Sequence, residues 1–475
     1  MAQLFLGIDL GTQGLKALVV DERFEPQGRG FAAYPTRHPH PGWAEQDAED
    51  WERALALAGA QAVGEAGGPA VEAIGVTGQL DGCLAVDGGG RPQSPCLIWM
   101  DRRAELRADG SLRRRLLRDG GINADPSHMA AKIGWLRRSL GPERSRSVAR
   151  FHQPVSYLVR RLAGVDVFDH GLASTTMLYG LKRRAFDPEL LRVFGVSERE
   201  LPRIAEAHEV AGGLTAEAAR LTGLRPGTPV AVGTGDDFAS PLGAGIVEPG
   251  TLACVAGTAE VVGALSERPI VDPAGVVETH CFPGGLYFVE NPGWLSGGAL
   301  RWFVETFRLK DYRELDTLAA EAPPGAEGLC FLPALSGSTV PEWHAGARGC
   351  FYGLSAAHGT GHLARAVLEG CAFSMRDVLQ RLQVLEIRAE RIALMGGGAA
   401  SRLWAQIRAD LTGLEVECAR LPDTAPRGAA MLAAVAAGQA AGIRDCATRL
   451  RGAPSGAPGG AVDAGGRRFL PDPAR

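Results

Sequence analysis

Apolar and polar positions follow two different rhythms along this chain. Near the N-terminus the runs Leu4–Asp9 and Gly14–Asp21 are short and almost continuously apolar, which predicts two strands joined by a turn at Gly11-Thr12. Asp47 then precedes Trp51, Leu55 and Ala58 at helical spacing, the signature of a capped helix reaching about Gly64. Strand-like runs recur at Ala73–Thr77, Leu84–Val86, Pro229–Gly233, Thr251–Val255 and Glu260–Leu265, while residues 102–165 carry a largely helical, Arg-rich pattern. Farther on, His362 opens a long amphipathic helix with Leu363, Ala366, Val367, Gly370, Ser374, Val378 and Leu382 on one face. A strand over Arg391–Met395, three glycines, a helix from Ser401 and a strand over Leu414–Cys418 follow. Ala429–Ile443 is Ala/Gly-rich, short for a membrane span and interrupted by Gln439, so it predicts a packed internal helix. From Arg451 the periodicity fades into a Gly/Pro/Ala-rich, loosely held tail. Strands alternating with helices throughout predict an α/β architecture.

At 475 residues the chain exceeds one ordinary core, so two domains are expected. One echo in the pattern sharpens this. Leu10-Gly11-Thr12, between two strands, reappears as Ala256-Gly257-Thr258 between two strands near the chain's middle. A strand–Gly–Thr–strand hairpin is either an ordinary turn or a cradle whose N–H groups and hydroxyl suit phosphate oxygens. Two copies, each opening a domain-sized segment, suggest two related lobes serving one nucleotide. Composition changes the picture little: 45% hydrophobic and 22% charged residues exclude a disordered chain, and a net charge of −4 gives no reason to expect nucleic acid or a membrane as partner. Nine cysteines scattered without a CxxC pair read as reduced thiols, and no basic-then-apolar leader precedes the first strand, so a cytoplasmic setting is expected.

Three segments could carry chemistry. Asp9 ends the first strand beside the Gly11-Thr12 turn, where a carboxylate either shapes the turn or holds Mg²⁺. Gly233-Thr234-Gly235-Asp236-Asp237 follows another strand; its acidic pair either caps the next helix or supplies a base to an incoming hydroxyl. Met395-Gly396-Gly397-Gly398-Ala399-Ala400-Ser401, between strand and helix, can bring backbone close to a nucleotide. Gly396 and Gly398 also begin a dinucleotide fingerprint with Glu417 at the distance of a ribose-binding acid, although Ser401 stands where its third glycine would be. A Walker-type phosphate loop does not occur in the sequence.

These residues resemble the FGGY carbohydrate kinases, and within them are most similar to the xylulokinases, over about residues 4 to 440. Gly7-Ile8-Asp9-Leu10-Gly11-Thr12-Gln13-Gly14-Leu15-Lys16 is similar to the family's first phosphate motif, and Gly42-Trp43-Ala44-Glu45-Gln46-Asp47 with Trp51 to the segment after it. Gly78-Gln79-Leu80-Asp81-Gly82 and Trp99-Met100-Asp101-Arg102-Arg103 resemble its sugar-site loops. Gly349-Cys350-Phe351-Tyr352-Gly353-Leu354, seven residues, then His362–Glu369 resembles the family's second signature. The resemblance implies two actin-like (ribonuclease H-like) lobes with mixed sheets flanked by helices, residues 1–240 and 241–450, before the tail 451–475, with the active site in the cleft. It implies ATP and Mg²⁺ as cofactors. Asp236 would act as base, with Asp9 near the metal and γ-phosphate; Leu80, Asp81, Asp101, Asp236 and Asp237 would line the sugar. Gly11, Thr12, Gln13, Gly257 and Thr258 would meet phosphates, and Gly397 and Gly398 would approach the adenosine. Trp302 is either a nucleotide-pocket residue or a core aromatic.

The chain departs from xylulokinases at Leu80-Asp81, where they carry Met-His, at Asp237, where they carry Asn, and at Ser338-Thr339, where a Glu-Arg pair is expected. Additional carboxylates favour a neutral polyhydroxylated acceptor over a sugar acid through like-charge repulsion. A pentulose such as D-xylulose is the first expectation, with a tetrulose, hexulose or other polyol open. An actin-fold nucleotide switch and a non-catalytic sugar sensor are the readings from other classes. A homodimer is one option for assembly.

Overall fold

The computed structural model describes residues 3–68, 70–452 and 466–473. These gather into two compact units. One falls within Met1–Val247, His280–Tyr287 and Thr424–Pro454, the other within Glu248–Thr279, Phe288–Asp423 and Ser455–Arg475. Strands and helices of the two principal sheets are numbered here in chain order.

In the first unit β1 (Leu4–Leu10) pairs antiparallel with β2 (Gly14–Val20) and parallel with β4 (Val71–Gly78). The sheet runs β5 (Pro229–Ala231), β4, β1, β2, β3 (Pro26–Ala33), with the short β6 (Thr234–Gly235) also pairing with β4. β1 is central and covered on both faces: Phe5, Leu6, Ile8 and Leu10 are fully buried. Its apolar residues are therefore continuous rather than alternating. Helix α1 (Ala48–Glu65) buries Trp51, Leu55, Ala58 and Ala62, the face its periodicity predicted.

Two further helices set the position of the site. α2 (Asp236–Gly243) follows β6 directly, and α6 (Thr424–Ala436) returns from late in the chain to pack on both the sheet and α2. The contact is backbone on backbone. Gly7 and Gly75 are direct partners on β1 and β4; a Cβ on Gly7 would lie 1.7 Å from the Pro426 carbonyl oxygen, and one on Gly75 1.8 Å from that of Ala429. On the other side of α6 a Cβ on Gly428 would lie 2.0 Å from the Ala239 oxygen, and one on Gly243 1.9 Å from the Thr424 oxygen. The Ala/Gly richness of the late segment thus has a packing cause.

The second unit repeats the strand logic. β7 (Gly250–Ala256) pairs antiparallel with β8 (Ala259–Ser266) and parallel with β10 (Ala389–Met395). The order β9 (Leu286–Leu295), β8, β7, β10, β11 (Glu415–Cys418) repeats β3, β2, β1, β4, β5 of the first unit, and β12 (Arg467–Phe469) pairs antiparallel with β11 as Val210–Gly213 does with β5. α3 (Gly297–Thr306), α4 (Thr360–Val384) and α5 (Arg402–Thr412) flank this sheet, and α4 sinks Val367, Leu368, Cys371, Met375, Val378 and Leu382 into the core. The α/β reading and the two mixed sheets flanked by helices hold.

Four expectations change. The lobe boundary at 240/241 assigns residues 424–450 to the second lobe, yet α6 packs within the first unit because its small residues match Gly7, Gly75 and Gly243. That helix spans Thr424–Ala436 rather than 429–443, and Gly438, at φ 70°, lies just beyond its end. Residues 102–165 are not one helical stretch: Gly121 at φ 69° ends one piece, Gly141 at φ 72° kinks the helix Met129–Ser147, and Val148–His152 is a strand. Much of the expected tail, 453–465 and 474–475, lies outside the described residues, but Arg467–Phe469 is a strand paired with β11. Among the described residues no helix is long and apolar enough to cross a membrane.

Gly428→Ala adds an atom where a carbonyl already stands, and overpacking of this kind costs about 1–3 kcal/mol. Gly64→Ala, with nothing within 4 Å of the added Cβ, is expected to be neutral or stabilising by about 0.5–1 kcal/mol through helix propensity. Thermal midpoints of the two variants should therefore move in opposite directions.

Candidate functional site

Register aligns the first unit's polar residues. Asp9 on β1 is opposite Thr77 on β4, which is opposite Thr234 on β6; Leu10, Gly78 and Gly235 form the next row. Gly11, Gln79 and Asp236 come immediately after, at the carboxyl ends of three parallel strands, where α/β sheets present ligand sites. The Gln79 N–H donates to the Leu10 carbonyl at 3.0 Å, tying that edge together. The turn into β6 needs Gly233: its φ is 78° and a Cβ there would lie 2.1 Å from the Val76 oxygen.

Around Gly11-Thr12 almost every backbone acceptor is engaged. Tyr34 Oη donates to the Gly11 carbonyl, Gln46 Nε2 donates to the Thr12 carbonyl at 2.8 Å, and Trp99 Nε1 donates to Thr12 Oγ1 at 2.9 Å. The Thr12 hydroxyl keeps its own proton for an incoming oxygen. Asp9 is buried at 7% exposure, and a Cβ on Gly11 would lie 4.0 Å from its Oδ1. Gln13 is exposed beside this turn.

Asp236 and Asp237 open α2, whose N-terminal end favours negative charge, and both remain half-buried. Burial, then the neighbouring Asp237 carboxylate, pushes the Asp236 carboxyl well above the usual range. Burial, then Asp81, does the same to Asp237. Tyr34 is raised by burial and by the charges of Asp9 and Asp236, so its phenol stays protonated as a donor. Thr234 is held from below: its hydroxyl donates at 2.7 Å to Asp169, a buried carboxyl that also accepts from the Gly171 and Leu172 N–H groups and is pushed up by burial to about 7.

The loop after β4 buries Leu80 and puts Asp81 in the left-handed region at φ 56°. The Asp81 N–H donates to Gln153 Oε1 at 3.1 Å, its carbonyl accepts from Lys132 Nζ at 2.6 Å, and its carboxylate lies 3.1 Å from His128 Nδ1. Lys132 is fully buried, and burial lowers it to about 8. Asp101, expected at the sugar, does not face solvent. At 0% exposure it accepts from the Ala44 N–H at 2.7 Å and from Arg103 Nε at 2.8 Å. It holds Arg103, whose guanidinium lies 3.6 Å from the Trp43 ring centroid and pairs with Glu45 at 2.8 Å.

The second unit builds its own cluster. The Gly257 and Thr258 carbonyls accept from the Gly297 and Gly298 N–H groups at 3.2 and 2.9 Å, joining the hairpin to the start of α3. Gly396 lies against the Ala256 backbone, Gly398 against Trp404, and a Cβ on Gly397 would meet nothing within 4 Å. Beneath them Glu260 and Arg408 form a fully buried ion pair. Arg408 Nη2 donates to Glu260 Oε2 at 2.7 Å, Ser296 Oγ donates to the same oxygen at 2.5 Å, and the guanidinium stacks over Trp404 at 4.3 Å. Trp302 is half-buried, stacked on Phe331 at 6.0 Å between centroids and packed against the core.

Register therefore joins Asp9, Gly11, Thr12, Leu80 and Asp236 along one sheet edge in the first unit, and Gly257, Thr258, Gly397 and Gly398 form a cluster in the second. Asp101 and Trp302 serve the surrounding packing. Sequence reading missed Gln46, Tyr34, Asp169 and the pair Glu260–Arg408. Their only signals were buried-type positions near motifs, and defining partners are distant in sequence: Gly11 lies 23 residues from Tyr34, Gln79 33 from Gln46, Thr234 65 from Asp169 and Glu260 148 from Arg408.

Comparison with known proteins finds one family over most of the chain. The N-terminal domain of the FGGY family of carbohydrate kinases matches residues 4–243, and its C-terminal domain matches residues 252–437. The chain is 31% identical over 440 residues to the xylulose kinase of Escherichia coli (strain K12), covering 91% of this chain and 90% of that protein. It is 31% identical over 454 residues to the glycerol kinase of Gloeobacter violaceus, covering 91% and 88%. The solved xylulose kinase of Rhodospirillum rubrum superposes with a TM-score of 0.85 at 28% identity, covering 99% of this chain and 95% of that one.

Arg408→Met leaves Glu260 buried without its counter-charge, a change that costs about 3–5 kcal/mol. Adding Glu260→Gln should recover part of that loss. Denaturant midpoints of the single and double variants decide it.

Proposed function

Because the chain belongs to the FGGY family of carbohydrate kinases and is a sugar phosphotransferase, we propose that it moves the γ-phosphoryl group of ATP to a hydroxyl of a pentulose such as D-xylulose. The observation that carries this reading is the alignment of Asp236, Gly11 and Gln79 at the ends of three paired strands, two rows beyond Asp9. In the proposed step Asp236 takes the proton of the attacking hydroxyl. The acceptor oxygen then bonds to phosphorus as the bond to the bridging oxygen of ADP breaks. The Thr12 N–H and hydroxyl receive charge developing on the phosphoryl oxygens, the usual source of rate in such sites, while the Gly11 N–H closes the turn on the Gly14 carbonyl at 3.2 Å. Gly257, Thr258, Gly397 and Gly398 are assigned to the nucleotide.

Mg²⁺ suits the residues present. Among the described residues no group of three or more His, Cys, Asp or Glu could cage a metal ion, but Mg²⁺ asks for one or two carboxylates plus phosphates and water. Asp9, a nearly enclosed carboxylate beside Gly11, meets that need. When bound, the ion would offset negative charge on the phosphates.

For the acceptor, Asp81, Asp236 and Asp237 gather three carboxyl groups, which supports a neutral polyol and opposes a sugar acid. Asp81 beside His128 supports glycerol or another polyol as the second reading, alongside the similarity to a glycerol kinase. Release of ADP measured over tetruloses, pentuloses, hexuloses, glycerol and gluconate separates these; turnover of gluconate above all neutral acceptors would remove the reading. All nine cysteines are free thiols, which supports a reducing, cytoplasmic setting.

Asp236→Asn is expected to lower kcat by about 10²–10⁴-fold, the usual contribution of a positioned base, with ATP-induced stabilisation retained. A second expectation concerns pH. The base works deprotonated, so kcat/KM falls as pH drops through its raised pKa. Asp237→Asn removes a negative charge that opposes ionisation of Asp236, so the acid limb of the profile should move to lower pH.

A further inference from the structure

We propose that Gln46 is a positioning residue that locks the phosphate turn to the acceptor loop, so that transfer to the sugar outcompetes transfer to water. Its side chain is fully buried, and its backbone is pinned by pairing with Cys96 in a short ladder. All four hydrogen-bonding places of the amide are used. Oε1 accepts from Trp51 Nε1 at 3.1 Å and from Gln79 Nε2 at 2.8 Å; Nε2 donates to the Thr12 carbonyl and to Thr36 Oγ1, each at 2.8 Å.

The direction of the amide is not arbitrary. An indole N–H can only donate, so Trp51 fixes Oε1 on its side and sends the two N–H bonds toward Thr12 and Thr36. With Oε1 so placed, Gln79 must present its own Nε2, which also points to the Gly11 carbonyl at 3.5 Å. Gln79 Oε1 is then a buried acceptor without a hydrogen-bond partner among the described residues. One side chain thus joins the loop Gln79-Leu80-Asp81 to the turn Gly11-Thr12, and a rigid indole on α1 orients it. Buried polar chains of this kind specify geometry because every alternative leaves a group unsatisfied.

The inference rests on the roles given above to Gly11-Thr12 and Asp236. Gln46→Glu preserves shape but puts an oxygen where Nε2 met the Thr12 carbonyl, so the turn must move. Small displacements of a reacting group cost up to about 10²-fold in rate, so a fall of about 10–100-fold in kcat is expected with KM for sugar and ATP within about threefold. The discriminating readout is the ratio of phosphorylated sugar to ADP released. A merely structural defect lowers both together and leaves the ratio at the wild-type value; loss of positioning lowers the ratio. Thr36→Val, a milder change to a half-buried partner, should give a smaller drop of the same kind and serves if Gln46→Glu fails to fold.

An unchanged ratio in Thr36→Val and in any folded Gln46→Glu, with Asp236→Asn inactive, overturns the inference alone. Near-normal turnover in Asp236→Asn overturns it together with the functional reading beneath it.

Discussion

Backbone-to-backbone contact across α6 is the constraint on which the first unit's chemistry depends. Asp236 is the first residue of α2, an eight-residue helix carrying Pro241, whose Phe238, Ala239 and Leu242 are fully buried. Its position is set further by Gly243 and Gly428, where two helices touch without intervening side chains, and by Arg427, which donates to the Gly243 carbonyl at 2.6 Å. The other side of α6 rests on Gly7 and Gly75 in the same direct way. Gly7 is two residues from Asp9. Contacts this close have no soft side chain to absorb a shift, so the spacing between Asp236, the proposed base, and the Gly11-Thr12 turn is set by main-chain geometry. A segment more than 180 residues beyond Asp236 therefore helps hold it in place, and the late helix cannot be trimmed as a dispensable tail.

The two units solve one problem with different chemistry. Each has a Gly-Thr turn between antiparallel strands, with a parallel strand on the other side. Beneath the first turn lies a neutral network of amides, hydroxyls and indoles around Gln46. Beneath the second lies a full ion pair, Glu260 with Arg408, supplemented by Ser296 and Trp404. A buried ion pair returns little net stability against apolar residues of equal volume, but it strongly penalises any arrangement that separates the charges. An amide network penalises misplacement more mildly and adds no field. A neutral support suits the side that must tolerate Asp9, Asp81, Asp236 and Asp237 together, since a further fixed charge there would shift all four.

The architecture was legible because its strands are short apolar runs and its helices keep a regular apolar face; Leu4–Leu10 and Thr360–Val384 came within two residues of the sequence reading. The motif residues of the sheet edge were legible for the same reason: Gly-Thr and Gly-Asp-Asp segments sit at strand ends, where backbone is exposed to ligands. What the sequence hid was partnership. Asp101 looked like a sugar ligand because it sits in a motif, yet its oxygens are spent on Ala44 and Arg103. Gln46 looked like one polar residue among several, because nothing in local pattern shows that Trp51 and Gln79 converge on it. Periodicity likewise could not assign 424–436 to the first unit, since a helix of small residues is compatible with many neighbours until the glycines facing it are known.

The acceptor edge then poses an electrostatic question whose answer narrows the substrate class. As the proposed base, Asp236 would have to lose a proton to act, yet burial and Asp237 oppose that loss, and Asp81 opposes ionisation of Asp237 in turn. Lys132 at the Asp81 carbonyl offsets charge at one end of this row, and Lys16 offsets part of it at Asp236. A sugar hydroxyl donating to Asp81 and Asp237 would lower their effective charge and ease ionisation of Asp236, whereas an acceptor carboxylate would add repulsion to it. On the proposed reading, a neutral polyol would ease ionisation of the base as well as supply its proton, which would couple acceptor identity to the chemistry through charge.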